Sequence, residues 1–338
     1  MNAPYIVAPV TTADYRRLAA RRLPRFLFDY IDGGANEERT MAANVADFAA
    51  IRIRQRVMRD VSGIDTSTTL AGRQVAMPLA LAPVGMAGLF SRRGEVIGIR
   101  AADQAGIPFT LSTVGICPIE EVRAAAAGSF WFQLYMMRDR DVVRRLLARA
   151  RAGGCDTLLF TVDLAVPGLR QRDFRNGMLG RDTLRAKLAK AWQLGTRPGW
   201  VKDVGVFGKP HSFGNLTDVV PDPTDLQAYK AWIDAQFDPT VTWRDIEWLR
   251  GLWDGKLFIK GVLEPEDARA AADVGADGVV VSNHGGRQLD SVASSVSKLP
   301  DVVAAVGDRM EVLLDGGVRG GLDVLKAVAL GARGVLIG

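Results

Sequence analysis

Cysteine and histidine are scarce. The 338 residues hold two of each, Cys117 and Cys155, His211 and His284. Two cysteines in no paired spacing argue against a disulfide framework, a structural zinc site and a covalently attached haem, and they favour a reducing compartment. No metal is expected. The N-terminus lacks an apolar signal core. Long apolar runs are lacking too: the longest uncharged stretch, Val75–Phe90, is broken by Pro78 and Pro83, and it falls short of the ~20 residues of a spanning helix. An excess of acid is also absent, with 38 acidic residues against 43 basic ones and a net charge of +5. That balance suits an anionic substrate, a phosphate-bearing cofactor or an acidic membrane surface, and a plain basic surface accounts for it equally. No stacking or helix-turn-helix pattern points to nucleic acid.

What is present is a rhythm. Eight short apolar runs, Leu79–Val84, Ile107–Leu111, Phe130–Leu134, Thr157–Val162, Leu257–Lys260, Gly278–Val281, Val312–Leu314 and Gly334–Ile337, alternate with amphipathic stretches. Continuously apolar strands are those of a parallel sheet buried on both faces. Helical patterns at Gly94–Gly106, Pro118–Ala127, Asp139–Gly153, Glu264–Gly275 and Gly320–Gly331 lie between them, several closing on glycine as helix C-termini do. Eight such units predict one α/β domain spanning 1–338, a TIM (β/α)8 barrel. The alternative, a doubly wound open sheet, lacks a G-x-G-x-x-G after its first strand. Residues 1–77 read as a mainly helical arm. Residues 174–243 read as a long insertion after strand four, first basic and Trp-containing (Arg181, Arg185, Lys187, Lys190, Trp192, Arg197, Trp200, Lys202, Lys209), then acidic from Thr217. A long segment of this kind serves as a lid or a binding element. The chain stops at Gly338, at the tip of strand eight, so a C-terminal helix is expected to be missing.

Catalytic groups of a barrel gather where strands end. Here those ends carry Ala82-Pro83-Val84-Gly85, Ser112, Gln133 and Tyr135, Thr161 and Asp163, Lys260, Ser282-Asn283-His284-Gly285-Gly286-Arg287 and Asp315-Gly316-Gly317-Val318-Arg319. His211 lies in the insertion and reads as a solvated loop residue. His284 follows a β-branched strand and suits a general base, with Asp163 to orient it. Arg170 and Arg287 offer planar forks for a carboxylate. Lys260, on a buried strand, requires an anionic or electron-rich partner, either a structural carboxylate or a cofactor ring. The glycines around Asp315 match a phosphate site after strand seven.

The string 282–290, SNHGGRQLD, resembles the active-site signature of the FMN-dependent 2-hydroxy-acid dehydrogenases and oxidases, and the resemblance runs along essentially the whole chain. LPRFLFDYIDGGA (23–35), LAPVG (81–85), LSTVGICPIEEV (111–122), WFQLY (131–135), FGKPH (207–211) and VVSNHGGRQLD (280–290) are similar in particular to the bacterial quinone-linked L-lactate dehydrogenases. The resemblance implies FMN as cofactor and oxidation of L-lactate to pyruvate, with electrons passed to quinone. The alternatives within the family are an oxygen-using oxidase of glycolate or a similar acid, and a dehydrogenase of L-mandelate. It further implies that His284 is the base on the substrate, supported by Asp163, that Arg170 and Arg287 hold the carboxylate, and that Tyr30 and Tyr135 bond its oxygens. The flavin is implied to rest on Ala82, Pro83, Val84 and Gly85, to contact Ser112, Gln133, Thr161 and Ser282, and to meet Lys260 at its N1/C2 edge. Asp315, Gly316, Gly317, Arg319 and Gly338 are implied to bind its ribityl-phosphate tail. Many relatives carry Thr-Ala where this chain has Val84-Gly85, a difference tied to the electron acceptor. A homotetramer lying peripherally on the cytoplasmic face of the inner membrane, at an anionic surface, completes what the resemblance implies.

Overall fold

The computed structural model describes residues 7–179, 183–220, 232 and 235–338. Its centre is a sheet of eight parallel strands: β3 (Leu79–Leu81), β4 (Thr110–Ser112), β5 (Phe130–Leu134), β6 (Cys155–Thr161), β7 (Lys256–Val262), β8 (Gly278–Val281), β9 (Glu311–Asp315) and β10 (Gly334–Ile337). The spatial order is β3-β10-β9-β8-β7-β6-β5-β4. Between β3 and β4 a single parallel bridge, Leu81 to Phe109, and the bond from Leu81 N–H to the Pro108 carbonyl (2.8 Å) draw the sheet into a TIM barrel. The strands fall on the eight apolar runs, with two ends moved by proline. The first stops at Leu81, not Val84, since Pro83 has no N–H to give a ladder; the second begins at Thr110, after Pro108.

The connecting helices form the outer ring. They are α4 (Ala87–Phe90), α5 (Gly94–Ala105), α6 (Ile119–Ala125), α7 (Arg140–Ala152), α11 (Trp243–Leu252), α12 (Pro265–Asp273), α13 (Ser295–Val306) and α14 (Gly321–Ala329). Local chemistry sets their ends. Asp139 caps α7 through the amides of Asp141 and Val142, and α5 stops at Gly106 in the left-handed region (φ +65°).

The arm is helical over α1 (Thr12–Arg22), α2 (Arg25–Asp32) and α3 (Arg39–Ala50), but it ends in a hairpin that the sequence reading did not contain, β1 (Thr68–Leu70) and β2 (Arg73–Val75). Ala71 and Gly72 turn it, both at positive φ, as a two-residue loop requires. Leu70, Ala71 and Val75 join Ala80, Trp131, Leu159, Phe258, Val280, Leu313 and Leu336 in the apolar filling of the barrel interior. The hairpin therefore plugs the N-terminal end.

The insertion is a folded layer rather than a loose loop. α8 (Gln171–Arg175), α9 (Leu184–Gly195) and α10 (Pro198–Trp200) run into a π-helical turn at Val201–Val206. It is tied to the arm and to α4: Phe26 N–H donates to Gln193 Oε1 (2.8 Å), Arg197 to the Leu23 carbonyl (3.1 Å) and Trp200 Nε1 to the Leu89 carbonyl (2.8 Å). His211 is half-buried against the Val204 carbonyl (2.8 Å) and is not the solvated residue expected, because the π-helical turn presents that carbonyl to it. Arg181 and residues 221–231, 233 and 234 of the acidic half lie outside the described residues. Among the described residues no helix is long and apolar enough to cross a membrane.

Candidate active site

Side chains alternate along a strand, so two residues beyond each apolar interior residue the chain points inward again. Ala80, Trp131, Leu159, Phe258, Val280, Leu313 and Leu336 are followed at that interval by Ala82, Gln133, Thr161, Lys260, Ser282, Asp315 and Gly338, and Thr110 is followed by Ser112. One step along the same strands converts a greasy layer into a polar ring. Ser112, Gln133, Thr161, Lys260, Ser282 and Asp315 are all buried. Ser112 Oγ donates to Gln133 Oε1 (3.0 Å), and Gln133 Nε2 to Thr161 Oγ1 (3.1 Å). Lys260 Nζ donates to Ser282 Oγ (3.1 Å) and pairs with Asp315 Oδ2 (2.8 Å). Burial alone would lower the Lys260 pKa. The Asp315 and Asp163 carboxylates outweigh it and hold the ammonium above its ordinary value.

Two further residues on, Asp163 and His284 stand above the ring, with Asp163 Oδ1 2.7 Å from His284 Nδ1. Burial would raise the Asp163 carboxyl, but His284 and Lys260 keep it below the usual carboxylate range. Its Oδ2 is buried without a partner. His284 itself sits at φ +58°, followed by Gly285 at +65° and Gly286 at +74°. Glycine accepts such angles freely, and histidine does so at a cost of order 1–3 kcal/mol that the surroundings must impose. Those surroundings are visible: the His284 amide donates to Ser282 Oγ (3.0 Å), and Asn283 Oδ1 accepts from both Gly286 N–H (3.0 Å) and Asn44 Nδ2 (2.9 Å).

The arm and the loop after β6 roof the ring. α2 delivers Tyr30, and the guanidiniums of Arg170 and Arg287 lie 5.1 and 5.4 Å from its ring centre. Arg170 is held by the fully buried Asp173 (2.8 Å), and Arg287 donates to the Gly33 and Ile31 carbonyls. Burial, with Arg170 as a like-charged neighbour, depresses the Arg287 pKa. Tyr135 is within electrostatic reach of Asp163, Tyr30 and both arginines, and burial with Asp163 pushes its hydroxyl pKa upward. Its ring packs edge-on against Phe237 (5.3 Å) and lines a cavity of about 480 Å³ with Phe160, Trp243, Ile246 and Gly261.

The structure thus gathers His284, Asp163, Tyr30, Tyr135, Arg170 and Arg287 over the ring. Ala82, Pro83, Val84 and Gly85 form the turn beside it, where a Cβ on Gly85 would press against Val114 Cγ2 at 2.9 Å. Gly316 and Gly317 take positive φ next to Asn44, whose backbone a Cβ on Gly317 would strike. Arg319 and Gly338 are exposed at the rim. Sequence reasoning missed the supports: Asp173, Asn44, and Arg172, which bridges Asp32 (2.8 Å) and Glu38.

The ring suits FMN. It offers donors and acceptors on one rim, and the buried, unpartnered Asp315 Oδ1 can accept from a ribityl hydroxyl. The sequence profile of the FMN-dependent dehydrogenase family matches residues 19–338. The chain is 58% identical to an L-lactate dehydrogenase of Caulobacter vibrioides (strain NA1000 / CB15N), over 97% of this chain and 85% of that protein. It is 52% identical to an L-lactate dehydrogenase of Ectopseudomonas mendocina (strain ymp), over 97% and 86%. Among solved structures it matches the monotopic membrane protein (S)-mandelate dehydrogenase at a TM-score of 0.90 and 36% identity, covering 97% of this chain and 86% of that one.

Proposed function

The chain belongs to the FMN-dependent dehydrogenase family, an FMN-dependent oxidoreductase of 2-hydroxy acids, and from that premise we propose that it oxidises L-lactate to pyruvate and passes the electrons to a quinone at an anionic membrane surface. One observation carries the substrate class: two guanidiniums, Arg170 and Arg287, flank Tyr30 beside a His–Asp pair, and among the described residues Asp173, paired with Arg170, is the one carboxylate ion-paired with either. That excess of positive charge calls for an anion, and the planar forks fit a carboxylate. With the carboxylate held there, and with Tyr30 and Tyr135 bonding its oxygens, the substrate hydroxyl faces His284. Asp163 fixes Nδ1, so Nε2 is the nitrogen that takes the hydroxyl proton, and the ionised Asp163 balances the imidazolium. FMN, when bound, supplies the two-electron acceptor. Ala82, Pro83, Val84 and Gly85 would floor it, while Ser112, Gln133, Thr161, Lys260 and Ser282 would meet its ring. Asp315, Gly316, Gly317, Arg319 and Gly338 would hold its tail.

The names of the curated relatives support lactate. For the acceptor, α9 supports a membrane: Leu184, Leu188 and Trp192 are exposed at four-residue spacing on one face, among Arg185, Lys187 and Lys190. Apolar side chains at the lipid interface and cations at the headgroups are what such a surface binds. A second reading, a larger aromatic 2-hydroxy acid, is favoured by the cavity behind Tyr135.

Anaerobic mixing with L-lactate, glycolate and L-mandelate tests both. Lactate should bleach the flavin fastest, and the reduced protein should reoxidise slowly in air and rapidly with a soluble quinone. Faster bleaching by mandelate would move the substrate to the second reading. Oxygen as the faster acceptor would make the protein an oxidase.

A further inference from the structure

At the end of α9 the chain meets the end of α1 around a second cavity, of about 360 Å³, lined by Arg21, Arg22, Thr196, Arg197, Gly199 and Trp200. Three guanidiniums surround it, and their partners leave the charge unbalanced. Arg22 pairs with Asp203 (2.6 Å), and Asp203 is shared with Arg92 at 3.6 Å. Among the described residues Arg197 is pinned by carbonyls alone, those of Leu23 (3.1 Å), Thr196 (3.0 Å) and Ala20 (3.4 Å), so the end of α1 fixes its position without cancelling its charge. Arg21 has no ion pair among the described residues. The line of exposed apolar residues on α9, Leu184, Leu188 and Trp192, steps on by four to Thr196, one of the residues lining the cavity.

We propose that this notch binds a phosphate ester, with Arg21 and Arg197 gripping its oxygens. Basic pockets of this kind take phosphate-bearing headgroups, and a guanidinium matches two phosphate oxygens at once. The volume leaves room for the glycerol side of an anionic phospholipid, and the same chemistry accepts a soluble phosphate ester. The lipid source alone rests on the membrane reading above.

The test uses the FMN-loaded full chain, with sedimentation on phosphatidylcholine vesicles with and without phosphatidylglycerol, and calorimetric titration with glycerol 3-phosphate. Arg21→Lys keeps the charge and loses the fork, and Arg185→Lys on α9 is the control. If lipid is the source, Arg21→Lys weakens binding to phosphatidylglycerol vesicles on the order of tenfold, and Arg185→Lys leaves it unchanged. If the ester is soluble, the same loss appears with glycerol 3-phosphate and not with vesicles. Leu188→Ser with Trp192→Ser should remove vesicle binding and spare glycerol 3-phosphate. A wild-type protein that ignores vesicles but binds glycerol 3-phosphate through Arg21 overturns the membrane reading and leaves the notch standing. Equal behaviour of Arg21→Lys and wild type in both arms, or acetate binding as tightly as the phosphate ester, overturns the proposal.

Discussion

The two ends of the barrel are made from the same strands and treat their carboxylates in opposite ways. At the N-terminal end the carboxylates are matched, while Thr110 Oγ1 and Trp131 Nε1 are buried without a partner among the described residues. Asp277 receives Lys256 Nζ (2.7 Å), Arg250 (3.0 Å) and the Leu257 amide (3.0 Å), and Glu311 receives the Ala71 amide of the plugging hairpin (3.1 Å). At the C-terminal end, Asp163 Oδ2, Asp173 Oδ1 and Asp315 Oδ1 are buried without a partner among the described residues, and a histidine occupies a left-handed backbone. Buried polar atoms are rarely left open without reason. The carboxylates of one end are satisfied within the protein, and those of the other are left open to what it binds. Stability and chemistry should therefore separate along the barrel axis.

Three substitutions probe that separation. The largest effect is expected from His284→Gln, which can still donate to Asp163 but cannot act as a base. Turnover of L-lactate should fall by ~10²–10⁴, with the unfolding midpoint little changed. Near-normal turnover would remove His284 from the chemistry. Next comes Leu70→Ala in the plug, where a fully buried side chain leaves a cavity. We expect a loss of about 2–5 kcal/mol in denaturant unfolding, with kcat/KM unchanged in buffer. A fall in kcat without a shift in midpoint would show that the plug reaches the site. Smallest is Asp277→Asn. Burial raises that carboxyl, but Lys256, the Leu257 amide and Arg250 hold it below its ordinary range. Its contribution is thus present above the usual carboxylate pKa and lost as pH falls through the lower folded value. Since the group is partly exposed, about 1 kcal/mol is expected at neutral pH. The variant's midpoint should also depend less on pH on the acid side, and an unaltered acid limb would place the linkage elsewhere.

Much of the mouth was legible because a parallel barrel writes its interior with a period of two. Gln133, Thr161, Lys260 and Asp315 each stand two residues after an apolar neighbour in a continuous run, so the polar ring is visible as a punctuation of strand ends. His284 was legible through scarcity, with no competitor outside the insertion. The plug was not. Its turn places alanine, Ala71, at φ +50°, where asparagine or glycine would have signalled a hairpin, and its strands are only three residues long. Asp173 was hidden for a different reason: nothing in a run of Arg170, Gln171, Arg172 and Asp173 says which charge will be fully buried. The insertion read as a loop because its helices hold by packing on the arm, a partner more than 150 positions away in sequence. Lys260 carried two readings, and the structure supplies the carboxylate partner, Asp315, while leaving the ring open beside it.

The contact between Asn44 and Asn283 spans 239 residues, and that between Thr40 and Asp290 spans 250. The backbone of the histidine loop is thus braced by a helix synthesised long before it. Contacts this distant are the last to repay their loop-closure entropy and belong to slow-folding topologies. On the ribosome, the arm must wait through most of the barrel before its counterpart emerges. Competence for catalysis is then a late event in the life of each molecule, arriving after the strands have formed rather than with them.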